Sequence, residues 1–151
     1  KIISYFITIE KKCVDVNNFA SAMTIHSALC NPSVARLKIS WSKIPRKSAL
    51  WFEDLNALFS VDRDSSQYRK SLRGCLLVQC IPSLALLAKD ITAYQAQHRN
   101  TGENINFICS RKIAQKLLNI FQWQNSNFSF LERQTIEMQI RETDKMDDKR
   151  A

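Results

Sequence analysis

"SLALLAKDITAYQAQHRNTGENINFICSRKIAQKLLNIFQ", residues 83–122, decides the architecture. It reads as two helices separated by a polar break. The first arm, 83–97, begins in leucine and alanine and ends in amides. The second, from 105 to about 122, carries Phe107, Ile108, Ala114, Leu117, Leu118 and Phe121 at helical spacing. Asn100 and Gly102 supply the turn, since both residue types tolerate the backbone a helix end requires. A connection this short makes the arms antiparallel, giving a helical hairpin over about 83–122. The greasy run leading into it, "CLLVQCIPSLALLA" at 75–88, predicts a buried start and a polar tip that leaves the core.

Upstream, Ile2, Ile3, Phe6, Ile9 and Cys13 share a helical spacing over 2–14, and Asn17 or Asn18 caps a second helix over about 19–30. Pro32 ends that helix, because proline cannot continue the hydrogen-bond ladder and restrains the residue before it. The pattern then predicts a short helix over 33–43 and an amphipathic one over 48–59 carrying Leu50, Trp51, Leu55, Leu58 and Phe59. A further helix runs over 65–73, with Asp64-Ser-Ser-Gln67 as its capping box. The last pattern, 130–146, fades into a charged end.

The 151 residues are 45% apolar and 24% charged, enough for one globular core, with only 2 Gly and 3 Pro. Turn-rich β folds need more of both, so the expected class is all-α: a compact helical domain with a protruding antiparallel hairpin. The chain opens on "KIISYFITIE", without methionine or a cleavage site, and reads as a segment of a longer protein. No uninterrupted apolar run is long enough to cross a membrane.

Lysine and arginine number 22 against 14 carboxylates, a formal charge of +8 that favours an anionic partner: nucleic acid, an acidic protein face or an anionic membrane. The basic residues are scattered as on solvated helix faces, without the aromatic-studded strands that single-strand binders use. Five cysteines form no CxxC pair and read as reduced, buried thiols in a cytosolic protein. With two histidines and no metal-ligand spacing, neither a metal nor a cofactor is expected. Phosphate-loop, nucleophile-elbow and zincin motifs are all missing. His26 lies on an apolar face as a core histidine, and Arg36 reads as a buried partner to a carboxylate.

"VNNFASAMTIHSALCNPSVARLKISW", 16–41, resembles the central segment of Ras-type guanine nucleotide exchange factors, the Cdc25-homology or RasGEF domain. The shared features continue in order: Tyr68-Arg69, Cys80-Ile81-Pro82, Lys89-Asp90-Ile91-Thr92, then Ile105-Asn106-Phe107 with Arg111-Lys112. The resemblance implies a domain shortened at both ends, whose hairpin wedges between the switch regions of a Ras-family GTPase. It would speed nucleotide release by stabilising the nucleotide-free state. It places Thr92 near the GTPase's metal site, Lys112 as the basic residue of the return arm, and Ala96 where the family carries a glutamate. Alanine cannot compete for the phosphate loop, a departure at the catalytic tip.

The implied contact set adds Met23, Leu29, Cys30, Ala35, Asp64, Ser83, Asp90, Tyr94, Gln95 and His98. At three of these the family pattern is replaced: its asparagine by Cys30, a bulky residue by Ala35 and an aromatic by Ser83. The blander reading of Asn17-Asn18-Phe19 is capping and packing. Three functions stay open: an exchange factor, cytoplasmic and recruited to the inner face of membranes; an exchange-inactive module that binds a GTPase or scaffold; and an unrelated binder of nucleic acid or membrane.

Overall fold

The computed structural model describes residues 1–60, 62–75, 78–97, 105–124, 128–131 and 133–142, with the side chains of 62–64 and 97 outside that description. Nine α-helices occur among them: α1 (Ile2–Asp15), α2 (Phe19–Leu29), α3 (Pro32–Ala35), α4 (Lys38–Ser42), α5 (Arg46–Phe59), α6 (Asp62–Gly74), α7 (Leu84–Gln97), α8 (Phe107–Gln124) and α9 (Gln134–Glu142). No strand ladder forms among the described residues, only one isolated parallel bridge between Asn18 and Ile81. The all-α expectation holds.

α1 lies against α2 and α5, α5 against α6, and α7 against α8. The shared core contains Ile7, Phe19, Ala22, Leu29, Leu55, Phe59, Tyr68, Cys75, Cys80 and Trp123. The expected stripe of α1 is rotated. Its inward positions are Ile3, Ile7, Glu10 and Val14, whereas Ile2 is 74% exposed and Phe6 42%. The reason is chemical: Glu10 sits at the centre of the buried face because His26 reaches it, so a count of apolar residues drifts away from the true face.

Several boundaries also move. The helix expected over 33–43 splits into α3 and α4 at Arg36 and Leu37, where Leu37 takes a non-helical ψ of 59°. Trp41 Nε1 donates to the Val34 carbonyl across that break at 3.0 Å, holding the two short helices together. α6 begins at Asp62, three residues before the helix start at residue 65 that the capping box predicted. Ser65 lies inside it at φ 54° and is buried. α9 is shorter than its pattern, and what was read beyond 142 lies outside the described residues. Arg36 is exposed, not buried, because the chain leaves the core at the α3–α4 break.

The turn between α1 and α2 fixes the base of the hairpin. Asn17 adopts φ 59°, a left-handed conformation that asparagine accepts more readily than most residues. Asn18 caps α2 by accepting from the Ser21 N–H at 3.0 Å, and Phe19 enters the core. The Asn17 carbonyl accepts from Ile81 N–H at 2.9 Å, and the Ile81 carbonyl accepts from Ala20 N–H at 3.2 Å. Asn17 Nδ2 adds a bond to the Gln79 carbonyl at 3.2 Å. Asn17-Asn18-Phe19 is thus a capping and packing element, and it also clamps the strand-like segment that feeds α7.

Candidate functional site

α7 and α8 run antiparallel, as their side-chain pairs show. Asp90 meets Lys116, Tyr94 meets Lys112, and the Cys109 thiol donates to the Tyr94 carbonyl at 3.6 Å. Asn106 opens α8, its Oδ1 accepting from Cys109 N–H at 3.1 Å. The turn carrying Asn100 and Gly102, and with it His98, lies outside the described residues.

Three bonds tie this pair of helices to the rest of the domain. Trp123, near the end of α8, donates from Nε1 to the Cys75 carbonyl at 2.9 Å. Tyr68 on α6 accepts from Ser83 N–H at 2.9 Å while its ring stands edge-on to Phe19, 5.5 Å between centroids. Burial pushes the Tyr68 phenol up to about 12, so the hydroxyl stays neutral. The third tie is ionic. Arg69 grips Asp90 with both ends of its guanidinium, at 2.6 and 2.7 Å, while Lys116 of α8 approaches the same carboxylate at 2.5 Å. The bond from Arg69 first, then Lys116, holds the Asp90 carboxyl down at about 2 against the opposing effect of burial.

Beyond that anchored base, Thr92, Gln95 and Ala96 form an exposed face of α7, at the helical spacings of three and four. Thr92 Oγ1 donates back to the Ala88 carbonyl at 3.0 Å. Tyr94 turns the other way, with the Lys112 and Lys116 ammonium groups 5.6 and 5.3 Å from its ring centroid. Lys112 itself is exposed. The first turn of α7 is less buried than the greasy run suggested: Leu84 is 62% exposed, and among the described residues of the run full burial is confined to Cys75, Cys80 and Ser83. The run is apolar because it passes under Tyr68 and Trp123, after which α7 packs along α8 and is held to α6 by the Arg69–Asp90 pair.

The other candidates fall into two groups. Leu29 and Ser83 are buried; Leu29 packs in the core and Ser83 Oγ donates to the half-buried Met23 Sδ at 3.0 Å. Cys30 and Ala35 lie exposed just beyond α2 and on α3. Asp64 is on α6, with its side chain outside the description. All five cysteines are free thiols; Cys75, Cys80 and Cys109 are buried as expected, but Cys30 is not, since it follows the last turn of α2. Among the described residues no group of three metal-ligating side chains occurs, and no helix is long and apolar enough to cross a membrane.

Two partners escaped the sequence reading: Arg69 and Lys116. A signal for Lys116 was present. The pairs Asp90–Lys116 and Tyr94–Lys112 are each symmetric about position 103, so an antiparallel register drawn through the turn places both. Arg69 comes from α6, and no local pattern announces that contact.

Comparison with known proteins matches residues 1–130 to the RasGEF domain. "Ras guanine nucleotide exchange factor C" of Dictyostelium discoideum is 31% identical over 99% of this chain and 10% of its own length. "Ras guanine nucleotide exchange factor Y" of the same organism is 34% identical over 85% of the chain and 9% of its length. "Cell division control protein 25" of Saccharomyces cerevisiae is 30% identical over 85% of the chain and 8% of its length. The chain therefore spans about a tenth of the length of these relatives.

Proposed function

From the premise that this chain belongs to the RasGEF family, we propose that it promotes GDP release from a Ras-family GTPase by inserting the α7–α8 hairpin between the switch regions. One observation carries this reading. A helix pair is locked at its base by Arg69–Asp90, Tyr68–Ser83 and Trp123–Cys75, yet presents Thr92, Gln95 and Ala96 to solvent at its far end. A rigid base lets contact at the tip push a neighbour's loop aside instead of bending the hairpin. The nucleotide-free GTPase is bound more tightly than the nucleotide-bound one, and that difference accelerates release. Thr92 meets the metal site and Lys112 supplies positive charge from the return arm. Cys30, Ala35, Met23 and Leu29 belong to the face beside them, the buried ones by shaping it. The +8 charge supports recruitment of the cytoplasmic protein to an anionic membrane surface.

A second reading has its own support. Ala96 leaves the tip without the carboxylate of the family pattern, which favours a module that binds the GTPase and does not drive exchange. Release of a fluorescent GDP analogue from Ras-, Rap- and Ral-type GTPases, measured with the full protein, separates the two. Acceleration with any of them supports exchange; measurable binding with no acceleration establishes the second reading.

A further inference from the structure

Beside the hairpin machinery the fold assembles a thiol, an imidazole and a carboxylate in line. His26 Nδ1 lies 2.9 Å from Glu10 Oε1, and His26 Nε2 lies 3.6 Å from the Cys30 thiol. Glu10 is fully buried, and its Oε2 has no hydrogen-bond partner. The imidazole is wedged between rings, 5.7 Å from Phe52 and 5.2 Å from Phe59 by centroid. Cys30, by contrast, is exposed. A carboxylate on Nδ1 selects the tautomer with its proton there, leaving the Nε2 lone pair facing the thiol. This is the order of roles by which a base activates a nucleophile.

We propose that Cys30 is a modification site that undergoes thiol–disulfide exchange with a low-molecular-weight disulfide, using His26 as base and Glu10 as the group that positions it. The Cys30 sulfur attacks one sulfur of the disulfide and its proton passes to His26 Nε2. The disulfide S–S bond breaks as the new one forms, and the departing thiolate takes the proton back from the imidazolium. Atoms and electrons balance without a further oxidant. Glu10 serves as counter-ion to the imidazolium while it lasts. Burial, and after it the Glu10 charge, push the Cys30 thiol above its ordinary value, so the resting group is the protonated thiol and the base is needed. Capping Cys30 would load a bulky group onto the face assigned above to the GTPase, a consequence that rests on that assignment.

The test is the rate at which oxidised glutathione modifies each cysteine of the folded protein, resolved by peptide mass spectrometry. Cys30 is expected to react first, and faster than the same cysteine in a peptide spanning 27–33. His26→Gln and Glu10→Gln are each expected to slow it about tenfold or more, with helicity retained. A Cys30 no faster than the peptide overturns the proposal, and that comparison stands even if both variants unfold. Modified protein is then expected to lose GDP-release acceleration and to regain it when dithiothreitol strips the glutathione from Cys30; retained acceleration in the modified protein overturns the regulatory consequence. If untreated protein gives no acceleration, the exchange reading fails and the thiol kinetics still judge the site.

Discussion

Arg69 of α6 holds Asp90 of α7 through two parallel bonds, Nη1 to Oδ2 at 2.7 Å and Nη2 to Oδ1 at 2.6 Å. The fork geometry matters because it fixes direction as well as distance, and so sets the angle at which α7 leaves the domain. Asp90→Asn keeps the shape but removes the charge that both Arg69 and Lys116 answer. The expected cost is about 2 kcal/mol, below that of a fully buried pair because the Asp90 side chain keeps 13% exposure. Urea denaturation of the variant beside the native protein measures it.

The same carboxylate predicts a pH dependence. Its folded value of about 2 lies below the ordinary 3.8, so the stabilisation is fully present above pH 4 and is lost as pH falls from about 4 to 2. The denaturation midpoints of native protein and Asp90→Asn should converge across that window. A gap that stays constant down to pH 2 would show that Asp90 is not the group responsible.

Tyr68→Phe leaves the edge-on packing against Phe19 in place and strands the buried Ser83 N–H. An orphaned buried donor costs about 1 to 3 kcal/mol. Thermal unfolding should fall accordingly, and amide exchange at Ser83 should quicken more than at core positions of α5. Equal protection at Ser83 in both proteins would refute the assignment.

At Asn17 the backbone at φ 59° separates two substitutions. Asn17→Gly loses the bond to Gln79 but fits the left-handed backbone, whereas Asn17→Ala loses the bond and must also bear a Cβ there. Alanine should be the less stable by about 1 kcal/mol. Calorimetry of the two variants side by side decides it.

Thr92→Glu and Lys112→Glu alter exposed positions on the two arms and should leave folding within about 0.5 kcal/mol of the native protein. In the GDP-release assay each is expected to abolish acceleration by the wedge. Unchanged rates in a folded variant would remove that residue from the site.

Local signals were enough for much of this. The two arms of the hairpin, the break at Pro32 and the N-cap of α2 were readable because each depends on residues within a turn of one another: apolar spacing, a missing N–H, a side-chain oxygen. The rotated face of α1 was not, since Glu10 enters the core only because His26, sixteen positions away, receives it. The split at Arg36 and Leu37 was hidden for a like reason. It is sustained by Trp41 reaching back to Val34, and nothing in the run "SVARLKISW" distinguishes that from one continuous helix.

By itself, the sequence determined that this chain is helical, that it carries a hairpin, and that its motifs follow the order of the RasGEF domain. Those properties follow from periodicity and motif order, which are one-dimensional. Only the tertiary structure decided how the hairpin is held. Asn17 on Ile81, Tyr68 on Ser83, Arg69 on Asp90 and Trp123 on Cys75 join positions 15 to 64 residues apart, and each exists because folding brings together groups that would otherwise lose their hydrogen bonds to water. The exposed Cys30 beside His26 is of the same kind: one residue past a helix end, and a site only because Glu10 lies beneath it.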